Sequence, residues 1–434
     1  MKLTFWGVRG SIPSPVLSPF IQDKVVSVLQ EAVNQQLDLQ NVDMLERFVK
    51  TLPLNTLSTI GGNTTCITLE AEDQFIIFDA GSGMRELGRY LMTREFGQGQ
   101  GQATIFFTHT HWDHIQGFPF FVPAFIAGNK FNIYHIHPYV PQVLEQQMRP
   151  EVYPVDFQGL RSEITFHQIS PGQVVPLDDL RIGNIELNHP GTAYSYRVDS
   201  DDYAIVLATD GEYKRLGTSH TKRYIDFFYG ADVLIFDAQF SVREAIIKED
   251  WGHSSALIGA DIARASRVKR LILFHHDPTS TDEEIMAALH QTQEYLAQSV
   301  KGSLLEVEVA REGLELRFIQ GGDFDIVEQN LSGALCLSLS GHFDAQASEK
   351  FSSYILNLAQ NGAPKRLILD MMNVDALTIA GVRALLDARR DVYSLAIVNL
   401  PDSIRRVIDL AETTDFFAIY DSINDVIGVT DTSV

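Results

Sequence analysis

A chain of 434 residues exceeds what one ordinary core organises, so at least two domains are expected. The composition, 45% apolar and 21% charged, is that of a soluble globular protein, and no apolar run is long enough to span a membrane. The formal charge of −22 works against an extended polyanion as substrate, since only a basic patch or arm would offset the repulsion, and no Lys/Arg-rich arm is present. A small anionic substrate stays compatible, because bound cations reverse the field locally.

The opening, "MKLTFWGVRGS", lacks the long apolar core of a secretory leader. The two cysteines, Cys66 and Cys336, exclude a disulfide framework and a cysteine-rich zinc site, so a reducing, cytoplasmic location is expected.

In chain order, "KLTFWGV" reads as a strand and leads into the turn "RGSIPSP". Roughly 18 to 52 then reads as a helical insertion, with helical apolar spacing in "IQDKVVSVLQEAVNQQ" and "DMLERFVKTL". Strands resume at "CITLEA" and "QFIIFDAGSG"; "GMRELGRYLMTREF" reads as a helix and "ATIFFTH" as a strand. Further strands are expected at "FNIYHIH", "RIGNIELNHP", "YSYRV", "YAIVLATD", "VLIFDA", "RLILFHHD" and "LLEVEVA", with helices at "SSALIGADIARAS" and "TDEEIMAALHQTQEYLAQS". Strands interleaved with helices indicate a layered α/β architecture. A break falls at "FIQGGDFD", after which about 110 residues alternate between β and α, the length of one small domain. No internal repeat is evident.

The densest chemistry lies in "FFTHTHWDHIQG", where His109, His111, Asp113 and His114 follow a buried-type strand. Ligands gather at the C-terminal ends of strands in α/β sheets, and imidazoles with a carboxylate make a mixed N/O site for zinc, manganese or iron. Four donors in six residues favour two metals if others arrive from elsewhere. "ELNHPG" offers His189, "VLATDGE" offers Asp210 and "LILFHHDP" offers His275 and His276, each after a strand. His135 and His137 in "YHIHP" have no nearby carboxylate and read as structural; His167, His220, His290 and His342 have no ligand spacing.

On these residues the chain resembles the metallo-β-lactamase superfamily, an αββα sandwich with a His-x-His-x-Asp-His signature, over about residues 1–320. The resemblance implies two divalent ions, with zinc expected and manganese or iron as alternatives. One would be held by His109, His111 and His189, the other by Asp113, His114 and His275, with Asp210 bridging. His275 is preferred to His276 because the family's last ligand follows its strand by one residue, which leaves His276 beside the site or on the surface. "WGVRGSIPSP" and "GGNTTC" resemble the cyclic-phosphodiesterase and RNase Z-like branch, where such segments underlie the active site. "DWGHSS" resembles that branch's His-Ser/Thr motif, whose histidine approaches the phosphate; this role falls to His253, which also reads as a residue beside the Ser254/Ser255 helix cap. Asp79 in "DAGSG" resembles an aspartate that orients a ligand histidine or its loop, or is a turn residue. Asp113, Asp210 and His253 are the expected catalytic residues, with His253 donating a proton to the leaving oxygen or bonding a phosphate oxygen.

Residues 326–434 resemble a STAS domain, a small βα fold, in "LCLSLSGHFDAQASEKF", "KRLILDMMNVDALTIAGVRALLDA", "SLAIVNLPDSIRRVIDLA" and "FFAIYDSINDVI". The family's phosphorylated loop usually reads Asp-Ser-Ser/Thr-Gly, whereas here Thr378-Ile379-Ala380-Gly381 stands in its place. No hydroxyl occupies the usual phosphorylation position, so constitutive docking or dimerisation through "LTIAGV" is expected, or packing on the enzyme domain.

The leading expectation is a dinuclear hydrolase of small phosphodiesters of the cyclic AMP or GMP type, a homodimer, with a STAS module for a protein partner or self-association. The helical insertion would act as a lid or pack on a second subunit. An RNase Z-like RNA nuclease is the alternative enzyme, and a nucleotide-sensing scaffold acting through the STAS domain is the non-enzymatic alternative; a β-lactam or thioester hydrolase fits the "GVRGSIP" and "GGNTTC" segments less well.

Overall fold

A computed structural model describes the chain except residues 53–55, 57, 72–73, 216, 300–304, 319–323, 332–333, 361–365, 393 and 428–434. It divides into two compact units, Met1–Phe318 and Ile319–Val434. The first unit carries β1 (Lys2–Gly7), β2 (Cys66–Glu70), β3 (Phe75–Phe78), β4 (Gln102–Phe106), β5 (Lys130–His135), β6 (Glu163–Gln168) and β7 (Val175–Leu177). It continues with β8 (Leu180–Leu187), β9 (Ala193–Asp199), β10 (Ala204–Ala208), β11 (Val233–Asp237), β12 (Arg270–Phe274), β13 (Glu306–Val309) and β14 (Glu315–Arg317).

Among the described residues these form two seven-stranded sheets, ordered β14-β1-β2-β3-β4-β5-β6 and β13-β12-β11-β10-β9-β8-β7. Both follow one plan. In the first, β14 to β3 pair antiparallel and β3 to β6 parallel. In the second, β7 to β10 pair antiparallel and β10 to β13 parallel. No sequence repeat marks this correspondence, because hydrogen-bonding pattern is carried by backbone and tolerates any apolar side chains. The parallel strands are covered on both faces, which is why "AIVLA" of β10 and "VLIFD" of β11 are buried at every position.

Aromatic side chains join the sheets. Tyr196 lies 5.9 Å from Phe78 and 5.2 Å from Phe106 between ring centroids, and Phe5 lies 5.9 Å from Phe274. The fully buried Tyr196 hydroxyl donates to Phe107 O at 2.8 Å, as a buried phenol must find a partner. Outside the first sheet, the helix Met84–Leu91 buries Met84, Leu87 and Leu91 with Ile77 and Ile105. Outside the second, the helix Ala256–Ala265 packs on β11 and β12, and the helix Asp282–Ser299 packs on that helix and on β13. The expected αββα sandwich is the fold observed. The insertion forms two helices, Ser18–Asn34 and Val42–Thr51, with a small core of Ala32, Phe48 and Leu52.

The second unit is one sheet of β15 (Asp325–Leu331), β16 (Ala334–Phe343), β17 (Leu367–Leu377), β18 (Leu395–Val398) and β19 (Ala418–Tyr420), in that order. Only β15 runs antiparallel to its neighbour. Helices Ala345–Gln360, Ile379–Asp391 and Asp402–Leu410 contribute Phe351, Leu385 and Ile404 to its larger core. The expected exposed apolar loop is mostly internal: Leu377 and Val382 are buried, and of the apolar residues in "LTIAGV" only Ile379 is well exposed. Thr378 is the helix N-cap, accepting from Gly381 N at 3.4 Å and donating to Phe343 O at 3.2 Å. No described helix is long and apolar enough to cross a membrane.

Tyr196→Phe removes one buried hydrogen bond while keeping the ring, so thermal or urea unfolding should show a loss of about 1–2 kcal/mol.

Candidate metal centre

Strands β3, β4, β8, β10, β11 and β12 all end at one place. One to three residues beyond them stand Asp79, the His109–His114 loop, His189, Asp210 and His275, while Asp237 is itself the last residue of β11. Three of these take left-handed backbone conformations uncommon for non-glycine residues: Asp79 at φ 58°, Asp210 at φ 57° and His275 at φ 59°. The turn swings each side chain inward immediately after its strand, local strain of the kind found where function needs one geometry.

The side chains converge as two groups with no residue in common, and a third set, Asp210, Asp237, His253 and His275, overlaps the second. His109, His111 and His189 form one, and Asp113, His114, Asp210 and His275 the other, each with donor atoms within 4.8 Å of one another. In the second group, His275 Nε2 lies 3.2 Å from Asp113 Oδ2, 3.3 Å from His114 Nε2 and 3.3 Å from Asp210 Oδ2. His114 Nε2 lies 3.4 Å from Asp113 Oδ2 and 3.1 Å from Asp210 Oδ2. Tetrahedral coordination with metal–nitrogen bonds of ~2.0–2.1 Å separates ligand atoms by about 3.3–3.4 Å. The donors thus already stand at the edges of such a tetrahedron. In the first group His189 Nε2 faces His111 Nδ1 at 3.0 Å, and the buried His109 Nε2 has no hydrogen-bond partner. Asp210 joins the groups through different oxygens: Oδ1 lies 4.0 Å from His109 and 3.8 Å from His189, while Oδ2 faces His114 and His275. The residues fit two divalent ions sharing one carboxylate.

Most of the imidazoles are held by the nitrogen that faces away. Nδ1 of His114 bonds Asp79 Oδ2 at 2.8 Å, Nδ1 of His189 bonds Gly252 O at 2.9 Å, and Nδ1 of His275 bonds Gln239 Oε1 at 3.0 Å. His109 Nδ1 meets Thr108 Oγ1 at 3.0 Å, and Thr108 in turn donates to Asp79. Such contacts fix the ring and its tautomer, leaving Nε2 for a metal. Asp79 is therefore an orienting group, as the resemblance implied, and it is wholly buried. Two glycines make room: a Cβ on Gly10 would fall 2.4 Å from His275 Nδ1, and one on Gly252 would fall 2.2 Å from His189 Nδ1.

Burial, with repulsion from neighbouring imidazoles, holds His109, His111 and His189 below the ordinary histidine range, so they present lone pairs. Burial opposes the charge on Asp113 and Asp210, yet His114 and His275 hold both carboxyls below their usual range. Among the expected residues, His253 borders the groups: Asp237 Oδ2 accepts from its Nδ1 at 2.8 Å, and Asp210 Oδ1 lies 4.0 Å away. Burial works against its proton, but Asp237, then Asp210 and Asp113, raise it to about 9.

Sequence reasoning missed Asp237, although it ends "VLIFDA" in the manner of the other site residues. It also missed Ser11, whose backbone N–H donates to Asp113 Oδ2 at 2.6 Å, and Gln239. Two tryptophans escaped notice as well. Trp112, between His111 and Asp113, is 82% exposed, and Trp251, beside Gly252, is 63% exposed. His276 belongs to none of the donor groups and is not on the surface: it is buried with Nε2 on Ala310 O at 2.9 Å. Arg9, in the "GVRG" turn, is a buried clip on the carbonyls of Gly61, Asp277 and Ser280. His135 and His137 are spent on the carbonyls of His137 and Thr192.

The cleft over the site, about 460 Å³, is lined by Ser11, Thr110, His111, Trp112, Asp113, Asp210 and His253. No described residue of 18–52 lines it. A larger cleft of about 830 Å³ between the segment 238–244 and the helix Asp282–Ser299 holds no converging donor set, and the donor geometry decides between them.

Asp79→Asn should weaken metal binding about 10–100-fold in a competition titration with a zinc chelator dye, because His114 loses its orienting carboxylate. Stripping divalent ions from the wild-type protein should lower Tm by several degrees, reversed on adding zinc.

Residues 74–276 match the family model described as a beta-lactamase superfamily domain, and residues 325–426 match the STAS domain model. The chain is 23% identical over 277 residues to a ribonuclease Z of Thermoplasma acidophilum, an alignment covering 54% of this chain and 85% of the relative. It is 24% identical over 289 residues to a ribonuclease Z of Nitrosopumilus maritimus, covering 56% and 93%. Among solved structures, the metallo-beta-lactamase fold protein YhfI from Bacillus subtilis superposes with a TM-score of 0.48 at 17% identity, covering 73% of this chain and 98% of that one. The chain therefore carries a metallo-β-lactamase superfamily domain followed by a STAS domain.

Proposed function

We propose that the first domain hydrolyses small phosphodiesters, cyclic nucleotides foremost, at two divalent ions of which zinc is the expected pair. The observation that carries this reading is Asp210, whose two oxygens face two separate donor groups. In it, His109, His111 and His189 would hold one ion, Asp113, His114 and His275 the other, and Asp210 would serve both. Such a pair supplies an activated water and neutralises the charge of a phosphodiester.

The chain's own groups do the rest. Asp113 is steadied by the Ser11 N–H, and Asp237 keeps the His253 ring turned toward Asp210 and the cleft. His253 then donates a proton to the leaving oxygen or hydrogen-bonds a phosphate oxygen. Trp112 gives a base-bearing substrate a flat apolar surface in the lining of the cleft, and stacking on such a ring contributes about 1–3 kcal/mol per base. The enzyme works in the cytoplasm as a homodimer. Its STAS domain docks a protein partner constitutively, since the Thr378 hydroxyl is engaged as a helix cap.

A second reading, cleavage of RNA, is favoured by the relatives named ribonuclease Z. Against it stands the charge of −22, with no Lys/Arg-rich arm in the sequence to grip a polyanion.

His111→Ala and Asp113→Ala should each abolish hydrolysis of bis-p-nitrophenyl phosphate and of cyclic AMP; unchanged turnover in the Asp113 variant refutes the site. His253→Ala should keep metal content while kcat falls about 10²–10⁴-fold. A panel of cyclic mononucleotides, cyclic dinucleotides, phosphoribosyl cyclic phosphate and RNA on metal-loaded protein separates the two readings, and cleavage of RNA alone establishes the second.

A further inference from the structure

Ser11 is a serine held in a backbone conformation that suits glycine, with φ 63°. Strain of this kind marks a position whose side chain is a candidate for a task. The backbone N–H of Ser11 is spent on Asp113 Oδ2 at 2.6 Å. Its side chain is exposed and belongs to the lining of the cleft, together with His111, Asp113, Asp210 and His253.

A chain of hydrogen bonds starting at the donor groups fixes what the hydroxyl presents. His275 Nε2 lies 3.2 Å from Asp113 Oδ2, 3.3 Å from His114 Nε2 and 3.3 Å from Asp210 Oδ2. In a ligand imidazole that nitrogen offers its lone pair, so Nδ1 carries the proton. Nδ1 donates to Gln239 Oε1 at 3.0 Å. An amide whose oxygen is so engaged turns its NH2 the other way, and Gln239 Nε2 donates to Ser11 Oγ at 3.2 Å. The serine proton then points away from Gln239, and no acceptor for it stands among the described residues. Each orientation forces the next, and the last member of the chain meets the cleft as a donor.

We propose that Ser11 is a substrate-binding residue, donating its hydroxyl proton to a non-bridging oxygen of the phosphodiester. The inference rests on the phosphodiester reading above and assigns that substrate a contact from the turn after β1.

Reach supports it. Ser11 touches Asp113 Oδ2 through its own N–H, and Asp113 belongs to the second donor group, so hydroxyl and donors stand on the same side of the cleft. The chemistry agrees. A phosphate oxygen is charged and accepts only, and hydrogen bonds to an ionised acceptor are the strong ones. A neutral hydroxyl also tolerates a place this close to a pair of divalent ions, where an ammonium or guanidinium would be repelled.

Two variants of the full-length, metal-loaded protein test this. Ser11→Ala removes the hydroxyl and keeps both the N–H on Asp113 and the left-handed strain, whereas Ser11→Gly removes hydroxyl and strain together. Both should keep the wild-type metal content and circular dichroism spectrum. Both should bind inorganic phosphate about tenfold more weakly in isothermal titration calorimetry, the loss expected of one hydrogen bond to a charged group. KM for bis-p-nitrophenyl phosphate should rise by a similar factor with kcat nearly unchanged, the pattern of a contact made alike in ground state and transition state. Wild-type phosphate affinity and KM in both variants overturn the inference and leave the phosphodiester reading standing. A loss in Ser11→Ala that Ser11→Gly restores traces the effect to the backbone and overturns it too. So does loss of metal from both, since the hydroxyl then serves the donor groups and not the substrate. A wild type that neither binds phosphate nor hydrolyses any phosphodiester overturns the reading and the inference together.

Discussion

Everything in the first domain depends on placing several buried donors where they would repel one another without a cation between them. Asp113 and Asp210 share a space a few ångströms across with His109, His114, His189 and His275, almost all out of reach of water. Burying a lone carboxylate is expensive, and pairing it with imidazolium offsets only part of that cost. The arrangement makes physical sense as a cation cradle, because divalent charge converts mutual repulsion into coordination. Asp210 is its centre, since its two oxygens face separate donor groups.

The sandwich exists to hold that cradle still. Two sheets of the same plan direct six strand ends to one place, and left-handed turns at Asp79, Asp210 and His275 bring the side chains in at once rather than through a loop. Outward-facing hydrogen bonds from Asp79, Gly252 and Gln239 then choose which imidazole nitrogen faces inward. The "GVRGS" segment serves from the first strand: Arg9 clips three carbonyls, Gly10 passes close to His275, and Ser11 donates to Asp113. Within this turn beneath the site, Arg9 is therefore a structural residue.

The second domain obeys a different economy. Its loop before the helix Ile379–Asp391 keeps the cap and the close approach of Gly381 to Phe343, where a Cβ would fall 2.6 Å from the Phe343 carbonyl, but lacks the serine of switching relatives. The apolar residues of "LTIAGV", which looked like a docking surface, are largely spent on its own core.

The secondary-structure elements and the candidate donors are legible along the chain. Apolar runs marked the strands, and a histidine or aspartate just past an apolar run is legible because strand ends are where α/β folds collect ligands. That local signal reached His109, His111, Asp113, His114, His189, Asp210 and His275. It could also have reached Asp237, which was passed over because it stands alone in "VLIFDA". Which atoms meet is settled by the tertiary fold: Asp210 divides its oxygens between two donor groups, and His276 turns away to Ala310 while its neighbour turns inward. These outcomes depend on backbone turns and on packing between residues far apart in the chain. One residue's φ reverses the direction of a side chain, and no pattern of polarity along a strand records it.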